Sequence, residues 1–99
     1  MKIMVVDDDQ QITKVLARYF SSKHYTVITA NDGKTAVELA QTEFPHLVFL
    51  DVNMPGMDGF ATLTGIRNVN SSIKVIMISG DSSPAFVERA RELGAIDFI

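Results

Sequence analysis

The sequence predicts an α/β protein built on a doubly wound, five-stranded parallel sheet, and three of its features point that way. Short unbroken apolar runs, of the kind buried on both faces, alternate with segments whose apolar residues recur at helical spacing. That alternation calls for right-handed crossovers and helices on both faces of the sheet. Carboxylates and small polar residues follow directly on the apolar runs, at the strand ends where open sheets of this kind place their chemistry.

The first strand is KIMVV at 2–6. The helix after it, QQITKVLARYF at 10–20, has Asp9 as its N-cap and turns Ile12, Val15, Leu16, Tyr19 and Phe20 to one face. YTVITA at 25–30 is the second strand, and NDGKTAVELAQTEF at 31–44 the second helix, opened by Asn31 or Asp32 and closed by Pro45. HLVFL at 46–50 is the third strand. FATLTGIRNV at 60–69 is the third helix, with Phe60, Leu63 and Ile66 inward; its Gly65 costs up to ~1 kcal/mol of helix propensity. IKVIMI at 73–78 is the fourth strand. SPAFVERARELG at 83–94 is a complete helix signature, with Ser83 as N-cap, Pro84 first in the helix, Phe86, Val87, Ala90 and Leu93 on one face, and Gly94 at the C-terminal cap. AIDFI at 95–99 is the fifth strand.

With 99 residues the chain forms one domain, spanning 1–99. Hydrophobic residues at 46% and charged residues at 21% describe a globular protein, not a disordered one. The net charge of −3 and the singly scattered basic residues argue against direct nucleic-acid or membrane binding. The absence of cysteine excludes disulfides, thiolate metal sites and cysteine nucleophiles. KIMVVD directly after Met1 has neither the apolar stretch nor the cleavage site of a secretory signal, so the expected location is cytoplasmic.

Asp7, Asp8 and Asp9 crowd the end of the first strand, and Asp51 stands alone at the end of the third. If those strands are neighbours, Asp7, Asp8 and Asp51 converge. Two carboxylates about 4 Å apart near a surface repel by roughly 4 kcal/mol, a cost that a hard divalent cation offsets. An all-oxygen donor set suits Mg²⁺ better than Zn²⁺, and neither His24 nor His46 lies at a predicted strand end of this kind. A cation beside a carboxylate makes a place for phosphoryl chemistry, with Asp51 as nucleophile. Ser79 can donate a hydroxyl hydrogen bond to a phosphoryl oxygen, and Gly80 leaves room for its approach. NMPGMDG forces a tight turn through Pro55 and Gly56 that can aim the Asn53 carbonyl at the metal.

In combination, VVDDD, FLDVNMPGMDG, VIMISGD and GAIDFI make the whole chain resemble a receiver domain of the bacterial two-component response regulators. The resemblance implies the strand order 2-1-3-4-5. It also implies that Asp51 accepts phosphate from a sensor histidine kinase or phosphotransfer protein. Asp8 would hold Mg²⁺ directly and Asp7 through water, Asn53 would give its main-chain carbonyl, and Ser79 would be the switch hydroxyl. Phe98 falls where the family has a switch aromatic, and Asn53, Gly80 and Asp81 match positions near the phosphoryl group that tune its lifetime.

The family pattern continues past DFI into a Lys-Pro pair and a fifth helix, whereas this sequence ends at Ile99. The expectation is a C-terminally incomplete domain with an uncovered apolar sheet face, a sticky fifth strand and a tendency to self-associate. Two other functions compete. One is a phosphorylation-independent interaction module, a pseudo-receiver. The other is a Mg²⁺-dependent phosphatase, which the adjacent acids after the first strand and the isolated Asp51 after the third disfavour.

Overall fold

The computed structural model describes residues 1–52, 58–78 and 83–98. Strands β1 (Lys2–Val6), β2 (Thr26–Ala30), β3 (Leu47–Asp51), β4 (Lys74–Ile78) and β5 (Asp97–Phe98) form one parallel sheet in the order β2-β1-β3-β4-β5. Helices α1 (Gln10–Ser22), α2 (Gly33–Glu43), α3 (Gly59–Val69) and α4 (Pro84–Glu92) fill the crossovers. The fifth strand is shorter than the sequence suggests: only Asp97 and Phe98 pair, with Ile76 and Met77 of β4, and Ile99 lies outside the described residues.

Polar side chains set where each helix begins. Asp9 accepts from the Gln11 N–H at 2.9 Å, Asp32 from Thr35 at 2.7 Å, Asp58 from Phe60 and Ala61 at 3.0 and 3.1 Å, and Ser83 from Phe86 at 3.3 Å. Each satisfies N–H groups that the first helical turn leaves without an intrahelical partner. Of the two caps open for α2, Asp32 is the one used, and Phe44 ends that helix in a left-handed conformation, ahead of Pro45.

Register sorts the strand side chains onto two faces. Met4, Val6, Val48, Leu50, Val75 and Met77 share one face and pack with Ala36, Ala40, Leu63, Ile66 and Ala90 of α2, α3 and α4 into the principal core. Gly65 has its reason there: a Cβ at that position would come within 2.9 Å of Val37 Cγ2, so the glycine that weakens α3 lets α2 approach it. Gly94, just past α4, has φ of 104°, and a Cβ there would meet Arg67 Nε at 2.6 Å.

The opposite face belongs to α1, which lies over β1 and β2. Ile3 and Val5 are buried beneath it, and Phe20 stacks on Phe49 with ring centroids 5.2 Å apart. Farther across that face, Leu47, Ile76 and Ile78 are only half-buried. Here the structure corrects the sequence reading of α1. Its sheet-facing residues are Thr13, Leu16, Ala17 and Phe20, whereas Ile12, Val15 and Tyr19 are exposed. Positions 12, 15 and 19 lie one residue, about 100°, around the helix from 13, 16 and 20. The apolar arc of α1 is wider than the strip of sheet beneath it, and its outer edge faces outward.

Leu50→Ala is therefore expected to cost about 2–5 kcal/mol, whereas Val15→Lys should stay within about 0.5 kcal/mol of the parent. Urea unfolding of both variants checks this pair, and a large loss from Val15→Lys would place α1 wrongly.

Candidate functional site

The register between β1 and β3 brings the acids together. It sets Val5 against Phe49 and Val6 against Leu50, so the next step carries Asp7 level with Asp51, on the face that Val5 and Phe49 occupy. Asp8 follows at once. One carboxylate oxygen from each of Asp7, Asp8 and Asp51 lies within 4.8 Å of the other two. Their surroundings differ: Asp7 is buried at 8% exposure, Asp51 is half-buried and Asp8 is exposed.

Asp7 is held at three points. Its N–H donates to the Ala30 carbonyl at 3.1 Å, its carboxylate accepts from the Asp9 N–H at 2.9 Å, and its own carbonyl accepts from the Asn31 side-chain amide at 2.8 Å. Asp9 stays out of the cluster and caps α1, so the acidic triple divides into a converging pair and a helix start. Burial pushes the Asp7 carboxyl above its ordinary value of 3.8, and the nearby Asp51 charge adds to the effect. The Asp9 N–H works against both by favouring the charged form.

The donor chemistry fits a hard cation. Three carboxylates offer only oxygen, and their mutual repulsion with the desolvation of Asp7 is the kind of electrostatic cost a divalent ion offsets. His24 and His46 are exposed and lie just before β2 and β3, at the amino end of the sheet, away from the acids. Asn53, Ser79, Gly80 and Asp81 lie outside the described residues. Phe98 is placed by its backbone, in β5 opposite Met77. Asn31 is the residue whose part the sequence reading missed. It stood there as a strand-end residue and a possible cap, and only the fold shows its amide reaching Asp7.

The profile of the response regulator receiver domain matches residues 3–99, and the chain belongs to that family. It is 33% identical over 95 residues to sporulation initiation phosphotransferase F of Bacillus subtilis, covering 96% of this chain and 77% of that protein. It is 40% identical over 98 residues to the probable transcriptional regulator ycf27 of Cyanophora paradoxa, covering 99% of this chain and 41% of that one. The chain thus spans about two-fifths of the length of the transcriptional regulators it matches. Among solved structures, Vibrio cholerae CheY4 superposes with a TM-score of 0.92 at 28% identity, over 99% of this chain and 83% of that one. A chain of the CheX-CheY-BeF3-Mg complex of Borrelia burgdorferi gives a TM-score of 0.91 at 33% identity, over 100% of this chain and 76% of that one. No helix among the described residues is long and apolar enough to cross a membrane.

An acid whose pKa is raised by folding contributes stability below its unfolded pKa and loses it as pH rises through the folded value. Without divalent metal, Asp7→Asn should therefore unfold at a higher temperature than the parent at neutral pH. That advantage should shrink as pH falls through the raised value, where the folded parent's carboxyl takes up its proton, and level off below the ordinary 3.8 of the unfolded chain. Thermal melting in chelator at several pH values measures it, and a pH-independent difference would refute the assignment.

Proposed function

We propose that this receiver domain is a phosphoacceptor of a two-component phosphorelay, with Asp51 taking the phosphoryl group from a histidine kinase or a phosphotransfer protein. The observation that carries the reading is the convergence of Asp51 with Asp7 and Asp8 at the carboxyl end of the sheet, inside a chain of this family. A lone exposed aspartate needs no such neighbours, whereas a phosphoacceptor working beside a cation does.

In this reading an Asp51 carboxylate oxygen forms the new bond to phosphorus as the phosphorus–nitrogen bond of a phosphohistidine breaks, and the electron pair returns to the imidazole. Asp7, Asp8 and Asp51 would hold Mg²⁺, together with the Asn53 carbonyl. When bound, Mg²⁺ neutralises charge on the transferring group. The Asp9 N–H and the Asn31 amide keep Asp7 oriented throughout, so little rearrangement is needed. Ser79 then serves as the switch hydroxyl, Phe98 as the switch aromatic, and Asn53, Gly80 and Asp81 as residues that tune the lifetime of the aspartyl phosphate. The domain is a signalling module, and its output is a change in surface contacts.

Self-association belongs to the same proposal. The exposed Ile12, Val15 and Tyr19, the half-buried Ile76 and Ile78 on the same side, and the edge strand β5 together offer a second copy an apolar surface. Sedimentation of the 99-residue chain should show dimers or larger species that dissociate on dilution, and a monomer at every concentration would reject this part.

Incubation with a small phosphodonor and Mg²⁺ should add one phosphate-sized mass increment, lost in Asp51→Asn and on chelation. An increment that survives Asp51→Asn would move the acceptor elsewhere. A partner affinity left unchanged by Asp51→Asn would favour the phosphorylation-independent module instead.

A further inference from the structure

The β1–β2 ladder ends at the pairing of Val6 with Ala30, one residue before the acids begin. Beyond it, two successive residues hold the Asp7 main chain from the β2 side: Ala30 accepts its N–H at 3.1 Å, and the Asn31 side chain donates to its carbonyl at 2.8 Å. That carbonyl belongs to the peptide unit that joins Asp7 to Asp8. The unit is planar and stiff, so fixing its oxygen fixes the direction in which the chain leaves Asp7 and enters Asp8. Adjacent carboxylates repel, and here the peptide between them carries a restraint from the β2–α2 turn. Asn31 is half-buried and lies outside the acidic cluster itself, so it acts on the pair through the main chain and not as a ligand.

We propose that Asn31 is a positioning residue that sets the mutual orientation of the Asp7 and Asp8 carboxylates, making the β2–α2 turn part of the scaffold of the cation site. The inference rests on the metal-assisted reading above and deepens it. Outer residues that orient ligands typically change metal affinity by about 10–100-fold when removed. Asn31→Ala should sit at the lower end of that range, because Asp7 keeps its bonds to Ala30 and Asp9.

Titration with Mg²⁺ alone, followed by calorimetry and by the backbone amide signals of Asp8 and Asp9, tests this on the parent, Asn31→Ala, Asn31→Gln and Asp8→Asn. The expected result is about tenfold weaker binding in Asn31→Ala, with partial recovery in Asn31→Gln, which keeps an amide donor on a longer stem. The metal-free circular dichroism of both variants should match that of the parent. Parent-like affinity in Asn31→Ala, with binding lost in Asp8→Asn, overturns the role of Asn31 and leaves the cation site standing. Equal weakening in Asn31→Ala and Asn31→Gln overturns the assignment to the amide donor. Binding that Asp8→Asn does not touch overturns the cation site and this inference with it.

Discussion

The pairing of β1 with β3 is the contact on which the site depends. β3 ends in Asp51 and β1 is followed at once by Asp7, and the parallel register that sets Val6 against Leu50 brings the two acids side by side. The repulsion this creates is carried by the sheet. Ile3 to Val6 are all buried on β1, Val48 and Leu50 are buried on β3, and sliding one strand by a residue would turn these side chains to the wrong faces. Apolar packing thus holds charged groups at separations they would not choose, and it leaves Asp7 with a raised pKa and a demand for a counter-charge.

Much of this was legible in the chain itself. Short apolar runs separated by helical periods gave the strand and helix sequence, and Asp9 and Ser83 follow the rule that short polar side chains start helices. Asp7, Asp8 and Asp51 were legible because strand-end acids are costly unless something uses them. α1 was legible only in part. Period alone says which residues are apolar along a helix, but not how wide a strip of sheet will receive them, and Ile12, Val15 and Tyr19 fell outside that strip. Asn31 was hidden for a different reason: its partner is a main-chain oxygen 24 residues earlier, and backbone acceptors leave no mark in a sequence.

The same limits explain Gly65. A propensity argument sees a residue that weakens α3, whereas the fold shows a close approach of α2 that any larger side chain would obstruct through Val37. Local cost and tertiary gain have opposite signs there, and the approach of two helices decides between them. Among the described residues, helices α2, α3 and α4 close over the core face and α1 packs on the other, so the two sides of the sheet differ in how completely these residues cover them.

Closure at the acidic end depends on three consecutive aspartates doing different work. Asp9 accepts the Gln11 N–H with its side chain and donates its own N–H to Asp7, so the residue that starts α1 also restrains the buried acid two positions earlier. Asn31 restrains the carbonyl of that same acid from the far side. Moving Asp7 would therefore disturb the first turn of α1 and the β2–α2 turn together. Both turns lie at the carboxyl end of the sheet, where β1 carries Asp7 between them and Asp51. Asp7 is thus tied to the start of α1 through its carboxylate and to the β2–α2 turn through its main-chain carbonyl.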